Sequence, residues 1–285
     1  MSDHLAHYGE GYVEAYLAEV AAAEAATEAA AHAPAATHQE TGIHVALAPE
    51  QLGSLWGIPI TNTLITSWIV IILLVALGIL IGRRAKLLPS RIQTLFEWMI
   101  EFVYDYVAET LESRKLARLF FPLLVTLFLF IFTANMLEFT PGIGSIGFYH
   151  GDEFRPLLRS VNTDLNVTLA LTIIVFIVIE MTGMIILGLR KYLHKFFPNP
   201  FRSPIGSVVG IIELFSELAR LVSFSFRLFG NILAGEVLII VALYFAPYGG
   251  AIPLMLFEVF VGFIQAAIFA ILTLFFIKIA ITDAH

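Results

Sequence analysis

Long apolar runs recur along this chain, and short polar interruptions separate them. Residues 63–82, 119–139 and 165–189 each hold about 20 consecutive mostly apolar positions, the length needed to cross a hydrocarbon layer. Residues 254–281 form a similar run. Residues 204–246 are longer still, with no proline or polar loop inside. At 1.5 Å per residue they make about 60 Å of helix against a layer of about 30 Å. They form either two spans or one steeply inclined helix. We expect one helix, paired with 254–281 across the outer turn at Pro247–Gly250 and Pro253 as a long, strongly tilted hairpin. Residues 92–113 follow a different pattern. Glu97, Glu101, Asp105, Glu109 and Glu112 recur at helical spacing among Trp and Tyr. That spacing fits a helix lying along the inner membrane surface, or one packed on partner subunits.

Basic residues give the runs a direction. Arg83, Arg84, Lys86 and Arg91 follow the first run; Arg114, Lys115 and Arg118 precede the second; Arg190, Lys191, His194 and Lys195 follow the third. Only Arg155 and Arg159 fall on the opposite side, within the Gly- and Pro-bearing loop 140–163. The positive-inside rule puts the N-terminus outside and the C-terminus in the cytoplasm. Lys278, Asp283 and His285 then lie near the inner interface. The expected fold is an all-α polytopic membrane protein with five spans and one amphipathic surface helix.

The polar residues inside the apolar runs are the anomaly. Glu213, Ser216, Arg220, Ser223, Arg227 and Asn231 fall within roughly 40° of one line on a helix. A charge at membrane depth costs roughly 2.5–3.5 kcal/mol on insertion scales, and an arginine cannot shed its proton to escape that cost. Arg220 has Glu217 and Glu213 at spacings that suit a static network. Arg227 has no acid at its own level. Glu236 is nine residues further on, about 13 Å along the axis and on the opposite face. Glu258, Gly262 and Gln265 share one face of the last run. A fixed cation beside a wet path keeps a neighbouring carboxyl ionised and repels passing cations. Glu236 and Glu258 suit an aqueous inlet, with Arg227 as a barrier whose partner is a carboxylate on another subunit. Glu180 sits within the third run, lining a wet cavity or paired with another polar group. Glu138 and Asp164 lie near the outer interface.

Composition narrows the classes further. The 285 residues are 59% hydrophobic and only 14% charged, against about 25% charged in soluble domains. The net charge of −7 argues against nucleic acid as a partner, and the absence of cysteine excludes disulfides and thiolate metal sites. Residues 1–50 are Ala-rich and acidic, with no Lys or Arg, and are expected to form an extension outside the membrane. Residues 9–31 can form a helix that Pro34 ends. His4, His7, His32, His38 and His44 lack compact ligand spacing, so no metal site is expected. The N-terminus lacks the basic and apolar regions of a signal peptide.

Phe226–Glu236, FRLFGNILAGE, strongly resembles subunit a of F-type ATP synthases. Asp164–Leu169 (DLNVTL) is similar to that family's D-x-N-V-T-L, Gln265-Ala266 with Phe269 and Leu272-Thr273 to its last helix, and Pro89–Val103 to its surface helix. The similarity covers 51–285, the expected membrane domain. It implies a stator subunit with two offset aqueous half-channels that carry protons to and from carboxylates of a rotating c-ring. Arg227 matches the arginine facing the ring and blocking direct leak. Asn231, Glu236 and Gln265 match polar residues of the ion path. Glu258 falls where members carry His or Glu. Asp164, Asn166 and Glu138 match positions near the outer half-channel, and Glu213 and Arg220 positions toward the cytoplasmic one. Glu180 has no counterpart in the family pattern. The implied partners are the c-ring, the subunit b peripheral stalk, the rest of the synthase and membrane lipid, in a bacterial plasma membrane. No cofactor is implied, and no ATP catalysis by this chain alone. The alternatives are a stand-alone proton channel or secondary transporter, which would conduct without a ring, and a structural anchor with buried ion pairs.

Overall fold

The computed structural model describes residues 49–55, 58–84, 90–139, 146–150, 153–196, 204–246 and 249–282. The expected helix 9–31, the N-terminal histidines, Asp283 and His285 lie outside the described residues. A hairpin, β1 (Gln51–Leu55) with β2 (Ile58–Thr61), leads into α1 (Asn62–Arg84). Then come α2 (Arg91–Thr110), α3 (Arg114–Glu138), a second hairpin of β3 (Gly147–His150) and β4 (Glu153–Pro156), and a 3-10 turn at Val161–Thr163. The chain ends with α4 (Leu165–Leu187), α5 (Leu189–Phe196), α6 (Pro204–Phe245) and α7 (Ile252–Ile281). Five of these helices (α1, α3, α4, α6 and α7) are long and apolar enough to cross a membrane. The fold is all-α and polytopic, as the apolar runs indicate.

Residues 204–245 form one continuous helix of 42 residues. At 1.5 Å per residue it is about 60 Å long, so it fits a 30 Å layer only when inclined or projecting beyond it. Several boundaries differ from those expected. α3 starts at Arg114 rather than 119, because Ser113 caps it: its Oγ accepts from the Leu116 amide at 3.4 Å. The third span stops at Leu187. Gly188, at φ 83°, then turns the chain into the short α5, which apolar periodicity does not reveal. The outer loop carries the second hairpin.

The core lies where α3, α4, α6 and α7 meet. Ile131, Val175, Leu228, Phe269, Leu274 and Ile277 are buried there. Phe224 meets the rings of Phe269 and Phe276 at 5.0 and 5.2 Å, joining α6 to α7. Phe263 sits edge-on to Phe128 and Phe132, joining α7 to α3. α2 folds back beside α3, where Tyr104 Oη donates to the Arg114 carbonyl at 3.2 Å. Lys278 reaches Glu112 at 2.8 Å, and its hydrogen bond and charge hold the Glu112 carboxyl below its usual range. The outward faces of the long helices are mostly apolar, with Trp68, Ile72, Phe215 and Phe260 all exposed, as lipid contact requires.

The closest approach of α3 and α7 depends on Gly262. A Cβ there would lie 3.1 Å from the Asn135 Cβ, and Asn135 Nδ2 donates to the Gly262 carbonyl at 3.0 Å. Small residues let helices come this close in lipid, where apolar burial alone gives no drive. Gly262→Leu should destabilise this contact by about 1–3 kcal/mol through overpacking. The check is the thermal midpoint of the detergent-solubilised protein, which should fall; an unchanged midpoint would contradict the packing described.

Candidate functional site

One set of polar side chains gathers at one end of the bundle. Only the first turns of α1 are buried, and they bury Asn62, Thr63, Thr66 and Ser67. These face the segment Arg159–Asp164, whose residues are all buried. Thr63 Oγ1 donates to Asp164 Oδ2 at 2.7 Å, and Asp164 Oδ1 accepts from the Asn166 amide at 2.9 Å. Asp164 is thus the N-cap of α4 and an anchor for α1, with both carboxylate oxygens engaged, while the Asn166 side chain is exposed. Asn162 Nδ2 donates to Asn135 Oδ1 at 2.6 Å, which continues the network to Gly262 of α7.

Three carboxylates and one guanidinium sit beside this network. Ser160 Oγ donates to Glu138 Oε2 at 2.9 Å. The Arg159 guanidinium, only 8% exposed, lies 3.8 Å from Glu236. Glu138 is within electrostatic reach of Glu236, Glu258 and Arg159. Glu258 rests directly against Gly235 of α6, where any Cβ would overlap its carboxylate. Gly235 therefore brings Glu258 beside Glu236 across the two helices. One turn along α6 from Gly235 and two turns along α7 from Glu258, Asn231 Nδ2 donates to Gln265 Oε1 at 2.7 Å. Glu258 Oε1 and Gln265 Nε2 are buried with no hydrogen-bond partner among the described residues, the kind of polar atom that hydration normally satisfies.

Arg227 is different. It is exposed on the outer side of α6, between Ser223 and Asn231, which are exposed as well. Phe226 and Val222 beside it are exposed apolar residues. Its contacts are weak: Nη2 donates to Ser223 Oγ at 3.4 Å, and the guanidinium lies 5.8 Å from the Phe224 ring. Among the described residues it forms no salt bridge with an acid. Arg220, two turns away, is paired with Glu217 at 2.7 Å and lies 4.3 Å over Phe276. Of the two partners that spacing allowed Arg220, Glu217 is the one taken; Glu213 is half-buried nearby on the helix. Glu180 accepts from Tyr192 Oη at 2.7 Å.

The structure thus brings Glu138, Glu236, Glu258, Gln265 and Asn231 into one region, leaves Arg227 facing outward, and places Glu180, Glu217 and Arg220 at the other end of the bundle. Sequence reasoning treated Arg159 only as a marker of topology. The signal was available: one of only two bases, with Arg155, on the side otherwise poor in bases, followed at once by the mostly polar string Ser160 to Asp164. Asn62 and Thr63 carry no comparable signal, because their partners are far away in the chain, and Tyr192 meets Glu180 only because Gly188 turns the chain between them.

Comparison with known proteins shows the family. The family model described as ATP synthase A chain matches residues 64–278. ATP synthase subunit a of Moorella thermoacetica is 34% identical over 230 residues, covering 80% of this chain and 94% of the relative. The subunit a proteins of Trichlorobacter lovleyi and Gloeobacter violaceus are 31% and 34% identical, covering 79% and 78% of this chain and 89% and 84% of those relatives. With its five apolar helices, the chain belongs to the ATP synthase subunit a family, the proton-channel subunits of the membrane sector of ATP synthase.

Proposed function

We propose that the buried polar cluster around Glu236 and Glu258 is the outer half-channel of this subunit, and that Arg227 is the post separating it from an inner one. The observation that carries the reading is the exposure of Arg227 on an apolar face with no acid partner among the described residues. A guanidinium cannot rest against lipid without a large cost, so it faces a partner that supplies a carboxylate. A ring of small subunits with one acid each meets that need. The stator role requires Arg227 to release each carboxylate as the next arrives, which a weakly held, outward cation permits.

On this reading protons enter at Glu138, Glu236 and Glu258 and reach the ring past Gln265 and Asn231. A ring carboxylate takes the proton, becomes neutral and turns away through lipid. After almost a full turn it releases the proton into the inner half-channel near Glu213, Glu217 and Arg220. Arg227 keeps the unprotonated carboxylate ionised as it passes and repels a proton taking the straight route. Arg159 holds Glu236 in place at the inlet. Arginine suits the barrier because it stays charged where a desolvated lysine deprotonates.

The same reading places the two hairpins outside and the C-terminus of α7 in the cytoplasm of a bacterial plasma membrane, with residues 1–50 outside. α2, whose Ile92, Phe96, Trp98 and Phe102 are exposed, lies along the inner surface beside the peripheral stalk of subunit b. The long α6 runs aslant along the ring.

Three outcomes test the assignment in inverted vesicles containing the whole complex. Arg227→Ala should abolish ATP-driven proton pumping, and retained pumping would sink the barrier role. Glu236→Gln should slow pumping on the order of tenfold or more, as loss of a proton-transfer group does, without loss of assembled subunit. An unchanged rate would remove Glu236 from the path. Gly235→Ala should also slow pumping, because the new methyl displaces the Glu258 carboxylate; normal pumping would show that the seat of Glu258 is immaterial.

A further inference from the structure

Glu180 is the one acid within α4, and nothing in the half-channel reading uses it. It lies seven residues before the helix end at Leu187, about 10 Å inside it. Two glycines deliver its partner. Gly188, at φ 83°, reverses the chain so that α5 lies back against the bundle. Gly183, one turn of α4 beyond Glu180, leaves the space that the Tyr192 ring fills; any Cβ there would overlap the ring. Tyr192 is buried, stacks edge-on with Phe196 at 5.5 Å, and donates from Oη to Glu180 Oε2 at 2.7 Å. The charges of Glu217 and Arg220 on α6 also act on this hydroxyl, so the four groups form one cluster at the cytoplasmic end.

We propose that Glu180 is a proton-relay carboxylate of the inner half-channel, receiving protons released near Glu217 and Arg220 and passing them to cytoplasmic water, and that Tyr192 is its positioning residue. The proposal rests on the half-channel reading above and extends it to a helix outside the α6–α7 hairpin. Each transfer moves one proton onto a Glu180 carboxylate oxygen and one proton off it, so the residue returns to its starting state. Burial first, and then the hydrogen bond and charge of Glu180, push the Tyr192 phenol well above its ordinary pKa. The phenol therefore holds its proton and fixes the carboxylate without ionising. A purely structural tether would not need a charge. An amide or hydroxyl at 180 could accept the same hydrogen bond without putting an ionisable group, one oxygen of which is buried, between the helices.

Glu180→Gln separates the two roles, because glutamine keeps the acceptor oxygen and the volume but cannot carry a dissociable proton. In inverted vesicles with the whole complex, at equal subunit content, Glu180→Gln should lower ATP-driven pumping on the order of tenfold. Glu180→Asp should restore most of it. Tyr192→Phe should lower pumping less, and adding Glu180→Gln to it should give no more loss than Glu180→Gln alone, because the two act as one unit. Wild-type pumping by Glu180→Gln, or additive losses in the double variant, overturns the proposal. Where Glu180→Gln fails to assemble, Glu180→Cys places a single thiol in a chain that has none. A small membrane-impermeant thiol reagent added from the cytoplasmic face should then block pumping. A thiol inert from that face, or failure of this variant to assemble as well, marks Glu180 as structural and overturns the proposal. Arg227→Ala run in parallel keeps the readings apart. If it still pumps, the half-channel reading itself has failed; if it is dead while Glu180→Gln is normal, only the role of Glu180 has.

Discussion

A positive charge held at membrane depth must be answered by a negative one, and three arginines of this chain meet that requirement in different ways. Arg159 has Glu236 at 3.8 Å and Arg220 has Glu217 at 2.7 Å, so both are settled within the subunit. Arg227 has no acid partner among the described residues. The two internal pairs lie at opposite ends of the polar region, and the outward arginine lies between them. That order gives the bundle two polar ends and a cationic divide. It follows from placing the charges: the main apolar core of α3, α4, α6 and α7 reaches Leu228 on α6 and starts at Ala266 on α7, short of the level of Glu236 and Glu258.

The bundle is packed by rules opposite to those of a soluble protein. Its outer faces are apolar, and the most completely buried side chains include Asn62, Asn135, Asn162 and Gln265 alongside Ile131 and Leu228. In lipid, two apolar helices gain little by meeting, so hydrogen bonds and close backbone approach supply the specificity. Gly262 admits Asn135, Gly235 admits the Glu258 carboxylate, and Gly183 admits Tyr192. In each case a missing Cβ becomes a seat for a polar group. The glycines therefore set both the helix spacing and the position of the chemistry, and a change at any of them would alter both together.

Much of this was legible in the sequence because membrane constraints are strong and local. Span length, basic clustering and the unbroken run 204–246 led to five spans and a single long helix, and the spacing of Glu258, Gly262 and Gln265 led to one buried face. The alternative partners of Arg220 were legible too, since both lie within two turns. What escaped was whatever depended on contacts distant in sequence. By motif Asp164 is similar to a position near the outer half-channel; that it also anchors Thr63, about a hundred positions away, and caps α4 is not legible in the sequence. Arg159 reads as a loop base until Glu236 is brought beside it. α5 has too few residues for periodicity to register, and its existence depends on one glycine with positive φ.

The contrast between Arg220 and Arg227 shows how little separates a buried pair from an exposed barrier. Seven residues apart, they lie within about 20° of each other on the same helix. Helical phase therefore cannot assign them different roles. Their neighbours do. Arg220 has an acid three positions before it, in reach on the same face, and the Phe276 ring of α7 beneath its guanidinium. The positions three and four away from Arg227 are Ser223, Phe224, Gly230 and Asn231, none of them acidic. An acid at any of these four would give Arg227 a partner of its own and remove its reason to face outward. The stretch is thus organised as much by the acids it omits around Arg227 as by the arginine itself. On the proposed function, that omission leaves the cation available to a carboxylate that comes and goes.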